Sequence, residues 1–490
     1  MRSIHARWSL AVAVVLAAGC AGQTALAPIQ SGTPPAAGLL HGRLAAPSGA
    51  QAVPYALQAL YTSPHLLGAA FLDATSASCV TKTSPILAYN SQDDTYLAVW
   101  NQNDGSGGDR VRARIKDSQG QTQVPDFTIA AIGDVKTNGK AVYLPWLNQF
   151  AVAYQHNTSN DAFGTDIYVQ RISDSGALIG AAIPVSTARE MQRYPDLAVD
   201  PINHRLEVVW QDRRSGDYDI YGRLLGFNGN QTVFLTNELL LGNSPPDPDH
   251  GYRTADQTAP TIAFGTQQQT YVVVWEDARS ADNDAIDAGE DLYATTLGAT
   301  GMPVTSNFVV SNLAGDQKDP SIAYLAASDK FLVAFTSANN GDTDTDLLAA
   351  GLDGDGTVLG WGVLDDNLGN QHRPNVAAND ASLTWLVGFL EDFNNQEAEG
   401  DSRVLGRHVG WAFQLGDVFN VSPLQPDFLD SIGIAANTDD QEFLMDYTQP
   451  TNPETECTAP DAVVPDLPNA SCTTFYFGVN VYGQRVDRGY

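Results

Sequence analysis

A five-residue, largely apolar run ending in an aromatic recurs seven times: Tyr96–Trp100, Phe150–Tyr154, Leu206–Trp210, Tyr271–Trp275, Phe331–Phe335, Trp385–Phe389 and Phe443–Tyr447. The closing aromatics stand 54, 56, 65, 60, 54 and 58 residues apart. Upstream of four copies lies a shorter run opened by Pro195, Pro260, Pro320 or Pro374, with Gln192, Gln257, Gln317 or Gln371 three residues before it. Proline is tolerated at the first position of a strand, where the ladder needs no N–H, so these prolines read as strand starts. Downstream, a polar loop leads to a third run often opened by Asp (Asp166, Asp219, Asp291, Asp346). A fourth follows a glycine turn, as at Ile183–Ser186, Phe308–Ser311 and Val418–Ser422. No helical period appears, and the nearly continuous apolar second runs predict strands buried on both faces.

Four short strands per unit and a period of this length predict an all-β chain, a seven-bladed β-propeller of four-stranded antiparallel blades. A solenoid turn is much shorter, and a sandwich needs about 100 residues. The blades are expected at about 81–136, 137–190, 191–255, 256–315, 316–370, 371–427 and 428–490. The last unit supplies its third strand at Gly478–Val486 and then runs out at Tyr490, whereas a spare strand-like run, Leu66–Leu72, precedes the first. A closing strand within 62–80 is therefore expected to complete the last blade and remove an open sheet edge.

The N-terminal segment has another character. Arg2 and Arg7 precede a short apolar stretch, Trp8–Ala18, and then small residues. That is the layout of a secretory signal, too short to span a bilayer. It ends Leu16-Ala17-Ala18-Gly19-Cys20, which resembles the lipobox of bacterial lipoproteins, with Ala17 where that family prefers Leu. The resemblance implies removal of 1–19, a diacylglycerol thioether on Cys20, an acylated (palmitate-type) amino terminus and, with Ala21 rather than Asp following, the outer membrane. Residues 20–60 are rich in Ala, Gly, Pro, Gln and Ser and read as a flexible, lipid-anchored tether to a propeller at 61–490.

Charge narrows the partners. The chain carries 26 Lys and Arg against 57 Asp and Glu, a net charge of −31. That argues against nucleic acid, whose phosphates are met by clustered cations. It leaves the lipid anchor as the sole membrane contact. Export permits disulfides; Cys457 and Cys472 bracket a Pro-rich insertion and form the expected pair, with Cys79 as a competitor.

The repeat, aromatic–acid–x–Arg, a spacer, then Asp-Ile-Tyr-x-x-Arg, is similar to repeats in secreted and lipid-anchored propellers of environmental Gram-negative bacteria, myxobacteria among them. That resemblance implies fold and surface location and no activity. After the second strand an acid recurs: Asp212, Glu276 with Asp277 and Arg279, and Glu391 with Asp392. Carboxylates from several blades converging on one face would suit glycoside hydrolysis or form a binding face. A feature repeated across blades is more simply structural, with Asp accepting loop N–H groups and Arg reaching a nearby carboxylate. Asp342, Asp344 and Asp346 alternate in a way that can wrap a hard cation such as Ca²⁺, though solvated turn acids explain them as well; no other cofactor is expected. The long insertions at 243–250 and 282–290 should share the face of the acid-bearing loops and make it negative.

No nucleophile elbow, zinc-hydrolase helix, P-loop or dinucleotide fingerprint is present. Two functions of different class follow: a non-catalytic cell-surface binding or scaffolding propeller with a protein or glycan ligand, or a polysaccharide-active hydrolase or lyase. The lipobox gives the first prediction. Cys20→Ala should move the protein from the membrane fraction to the soluble one and abolish labelled palmitate uptake; a variant that still sediments with membranes overturns lipidation.

Overall fold

The computed structural model describes residues 66–74, 81–103, 109–131, 135–136, 140–157, 164–229, 231–244, 255–279, 289–338, 344–367, 369–393, 401–422, 425–426, 431–450 and 479–488. They form seven blades around an axis. In blade 3 the strands run Gln192–Asp200, Arg205–Asp212 and Asp219–Asn228, with the outer edge split between Gln231–Phe234 and Leu239–Gly242. Blades 4 and 5 are plain four-stranded sheets starting at Gln257 and Gln317. The inner strand of blade 2 is short, Ala141–Leu144.

Closure follows the expected scheme. Ile432–Asn437, Glu442–Pro450 and Val479–Val486 make the first three strands of blade 7, and Leu66–Ala74 pairs antiparallel with Val479–Val486 as the fourth. One chain end thus covers the sheet edge left by the other.

One feature differs from the sequence reading. The prolines do not start the inner strands; those strands begin near the glutamines, and each proline sits at an internal bulge. The register slips between Thr83 and Ile86, Arg193 and Asp196, Thr258 and Thr261, Lys318 and Ser321, and His372 and Asn375. A bulge leaves one residue outside the ladder, so the missing proline N–H costs nothing there. The residue before each proline is left-handed: Ser84, Tyr194, Ala259, Asp319 and Arg373 have φ between 48° and 55°. For a side chain with a Cβ that conformation costs about 1–2 kcal/mol. In three of the five a hydrogen bond from the neighbouring blade holds it. Gln155 Oε1 accepts the Tyr194 N–H at 3.2 Å, Gln211 Oε1 that of Ala259 at 3.0 Å, and Glu276 Oε1 that of Asp319 at 2.7 Å.

At the other end of the inner strands, the hairpins into the second strands link into a circle. Asn90 donates to Asn148 (3.0 Å), Trp146 stacks on His204 (5.0 Å), and Asn203 donates to Gln269 (3.1 Å). Gln268 donates to Asp329 (3.0 Å), the Ala327 N–H to Asp380 (3.0 Å), Asn379 to the Asn437 carbonyl (2.9 Å), and Asn437 to Asp94 (3.1 Å). Apolar layers fill the space between blades; that between blades 5 and 6 gathers Leu332, Leu347, Trp385, Val387 and Phe389.

The junction of blades 7 and 1 is built differently. Lys116 and Asp446 are both fully buried, and Lys116 Nζ lies 2.7 Å from Asp446 Oδ2 and 2.9 Å from Oδ1. The matching places elsewhere are apolar or Gly: Ile172, Leu225, Leu297, Leu352, Val409 and Val486 for the lysine, and Val99, Ala153, Val209, Val274, Ala334 and Gly388 for the aspartate. Gly433 permits the close approach here, since a Cβ on it would stand 2.6 Å from the Pro85 carbonyl oxygen. Removing one partner of a buried pair strands the other charge and costs about 3–5 kcal/mol, whereas an apolar replacement of both is often neutral. Lys116→Leu or Asp446→Val alone should therefore lower stability by about that amount. The double variant, which gives the seam the same residues as other junctions, should regain most of it. Chemical denaturation of the four proteins measures the coupling, and additive losses would refute it.

Candidate functional site

The blade-to-blade connectors and the loops between second and third strands share one face, here the connector face. On it the acids singled out in the sequence are turned inward. Asp212 and Asp277 are fully buried and serve as hubs. The Trp210 and Trp275 indole N–H groups each donate to one carboxylate oxygen at 2.9 Å. Arg214 and Arg279 clasp both oxygens, at 2.9 and 2.5 Å and at 2.8 and 2.6 Å, and lie over Tyr221 and Tyr293 at 4.2 and 4.0 Å. The Arg214 and Arg279 backbone N–H groups each donate to the same carboxylate at 3.0 Å. In blade 3 the pairing arginine is Arg214, not the adjacent Arg213, so the working motif is Trp-x-Asp-x-Arg. Glu391 is buried in the matching place and takes Arg403 from the third strand at 2.6 Å, while Asp392 faces His372 at 2.8 Å. These are fasteners between strand and loop, and they form no common pocket.

Glu276 differs from its counterparts Gln155 and Gln211 in being ionisable. Burial, with Asp319 and Glu290 nearby, pushes its carboxyl up to about 7 despite the Asp319 N–H and the Thr258 hydroxyl that bind it. Asp342, Cys20, Cys457 and Cys472 lie outside the described residues, as do most of the two long insertions. Asp344 precedes, and Asp346 falls within, the strand Thr345–Asp353, whose first residue is held by Asn370 and the Gln371 carbonyl. Among the described residues no group of three or more His, Cys, Asp or Glu could hold a metal ion.

The bore through the blades is the site that sequence reasoning missed. Lys140, from blade 2, crosses it. Its ammonium reaches Asp196 Oδ2 (3.1 Å), Thr261 Oγ1 (3.3 Å), the Ile262 carbonyl (3.0 Å) and the Ile322 carbonyl (3.3 Å). Asp196 also accepts the Thr261 hydroxyl at 2.9 Å and the Ile262 N–H at 3.0 Å. Cavities of 410 and 520 Å³ open on either side of this plug. Around the connector-face cavity stand the left-handed residues of the bulges, with Tyr194, Asp319 and Arg373 exposed. Their backbone setting repeats from blade to blade; their chemistry does not. That contrast was visible in the sequence as an unconstrained residue before each proline.

Two buried titratable groups also depart from the repeat's logic. Glu207 is fully buried with neither oxygen hydrogen-bonded, where other blades carry Leu97, Ala151, Val272, Leu332, Leu386 or Leu444. Burial drives its pKa well above the usual carboxyl range. His408 packs between Phe419 and Phe443 with neither ring nitrogen bonded, and burial lowers it to about 4. For Glu207 the folded chain holds the proton more tightly than the unfolded one. Stability is thus lost as pH rises from about 4.5, by up to about 1.4 kcal/mol per pH unit. For His408 the unfolded chain binds the proton more tightly, so stability is lost as pH falls from about 6.5 towards 4. Relative to wild type, Glu207→Leu should gain with rising pH and His408→Leu with falling pH. Urea midpoints across pH 4–9 measure this, and curves parallel to wild type would refute it.

No family model matches the chain, and no curated protein sequence does. Among solved structures, the β-propeller domain of the Trilobed protease from Pyrococcus furiosus is similar at 9% identity over 75% of this chain and 91% of that one, with TM-score 0.43. The α-L-arabinofuranosidase Arb93A from Fusarium graminearum is similar at 13% over 68% and 93%, TM-score 0.40. The Hadza microbial sialidase Hz136 is similar at 13% over 64% of this chain, which spans 63% of the sialidase, TM-score 0.41. The seven-bladed fold itself rests on the strand pairing described above.

Proposed function

We propose that this is a non-catalytic binding or scaffolding propeller, lipid-anchored through Cys20 to the outer membrane and facing the periplasm or the cell surface. Its protein or glycan partner docks at the connector-face mouth of the bore. One observation carries the reading: a backbone feature repeated in five blades presents a different side chain in each, Ser84, Tyr194, Ala259, Asp319 and Arg373. Rigid scaffolds that vary what they display are built for recognition, and strained residues concentrate where a surface is used. The repeated acids Asp212, Asp277 and Glu391 are spent on internal contacts, which removes them from any acid–base pair.

A polysaccharide-active hydrolase or lyase is the second reading, favoured by Glu276 alone. A carboxyl near 7 beside the exposed carboxyl of Asp319 has the form of a proton donor in a carboxyl pair. Against it, Glu276 sits where Gln155 and Gln211 make the same backbone contact.

The experiment is a glycan array and a cell-envelope protein capture, run with a reducing-sugar assay on acidic and neutral polysaccharides. Tyr194→Ala combined with Arg373→Ala should weaken capture at least tenfold with melting unchanged within about 2 °C, as expected of exposed positions. Undiminished capture refutes the mouth as the docking site. Sugar release that disappears in Glu276→Gln would establish the enzymatic reading instead.

A further inference from the structure

The opposite face, formed by the hairpins between first and second strands and the turns between third and fourth, has its own chemistry. The 520 Å³ cavity opens there as a funnel whose wall includes Tyr89, Tyr143, Phe264 and Tyr324, at matching places in blades 1, 2, 4 and 5, with Ala378 and Ala436 in blades 6 and 7. The tyrosine hydroxyls turn to the rim, where Tyr89 donates to Asp94 (2.9 Å), Tyr143 to Asn148 (2.9 Å) and Tyr324 to Asp329 (2.8 Å). The rim therefore carries Asp93, Asp94, Asp329, Asp380, Asp439 and Asp440. Their side chains accept from neutral donors: Asn90 and Asn148 for Asp93, Asn437 for Asp94 and Asp440, Gln268 for Asp329, and the Ala327 N–H for Asp380. None of the six forms an ion pair among the described residues. Cations of this face have other partners: Arg485 is on Glu442, Arg205 on the Ala299 carbonyl, Lys330 on the Ser328 carbonyl, Arg171 on Gln149 and Arg488 on Gln441. Exposed apolar side chains stand on loops of the same face in blades 3, 4 and 6: Ile202, Met302, Val304, Leu383 and Trp411.

An apolar, aromatic-lined hollow, a rim of carboxylates without ion pairs and exposed apolar groups on three blades are complementary to one chemistry. We propose that the hairpin face is a second docking surface, and that its occupant is a basic amphipathic segment of a partner protein. Its apolar side chains enter the funnel and its Lys or Arg side chains meet the rim. A rim of one charge attracts and orients such a segment, and the apolar contacts retain it. Aromatic walls add attraction for the cations themselves. The assignment goes beyond the proposed function, because it concerns the other end of the plugged bore and none of the residues at the connector-face mouth.

The test uses the full-length protein, a fluorescein-labelled peptide of alternating Lys and Leu, and its Glu/Leu counterpart, by anisotropy at 150 mM salt. The Lys/Leu peptide should bind and the Glu/Leu peptide should not. Asp93→Asn, Asp380→Asn and Asp439→Asn together should weaken binding at least tenfold. Ala378→Phe, which fills the funnel, should do the same without altering charge, with melting curves showing that each variant is folded. The control neutralises three exposed acids of the connector face that lie outside the mouth, Glu190→Gln, Asp256→Asn and Asp366→Asn, and should stay within twofold of wild type. Equal losses in rim and control variants would reduce the effect to long-range attraction by an acidic protein and overturn the proposal. So would Glu/Leu binding, or an Ala378→Phe variant that binds normally. Failure here leaves the connector-face reading standing, because that reading is tested at Tyr194 and Arg373.

Discussion

A ring of stacked blades is stable only if it closes, and closure happens at one junction where the two ends of the folded chain must meet in register. Six junctions join blades that follow one another along the chain. The seventh joins residues separated by most of its length, where the entropic cost of pairing is greatest. Apolar packing is non-directional and would tolerate a slipped register, but a buried ammonium can be satisfied only by the carboxylate placed to receive it. Lys116 and Asp446 thus contribute less as a source of stability than as a test of correct assembly, in keeping with the use of buried polar pairs to fix register. The strand Leu66–Ala74 then seals the outer edge, and the circle of hydrogen-bonded and stacked hairpins carries the same order to the axis.

Much of this architecture was legible in the sequence because repetition is a strong signal. Seven apolar runs with closing aromatics predicted the blades, and a missing last strand with a spare first one predicted the closure. The prolines were misplaced by three residues, because a strand-start proline and a bulge proline look alike without the pairing partner in view. In the acid-bearing loops, Asp212 and Asp277 each take an indole N–H and a loop N–H, contacts of the kind that repetition from blade to blade suggests. Which arginine clasps which aspartate depended on a turn geometry that puts Arg214 rather than Arg213 over the carboxylate. Glu207 and Asp446 were each visible as a charge inside an apolar run, whereas Lys116 was hidden among the other charges of Asp109–Asp117. Their consequences were not visible, because one pair is formed across 330 residues and the remaining carboxylate is defined by having no partner.

The bulges show how the repeat reconciles uniformity with display. Each left-handed residue is unfavourable locally, and three of the five, Tyr194, Ala259 and Asp319, are held by a side chain from the preceding blade. Glutamine does this in two blades without charge. Glutamate does it in a third, and there the burial needed to hold a backbone N–H also keeps a proton on the carboxyl near neutral pH. A group can thus acquire an enzyme-like proton affinity from a purely architectural duty.

The ammonium of Lys140 gives the two ends of the bore a common dependence. It serves four oxygens from three blades at once, where the cavities of the two ends adjoin. An occupant deep enough to draw the side chain toward itself would leave Asp196, Thr261 and two carbonyls short of a donor, a cost it must offset with donors of its own. Shallow guests at opposite ends are then independent of each other, whereas deep ones compete for a single cation. By reciprocity, each would weaken the other by the same factor.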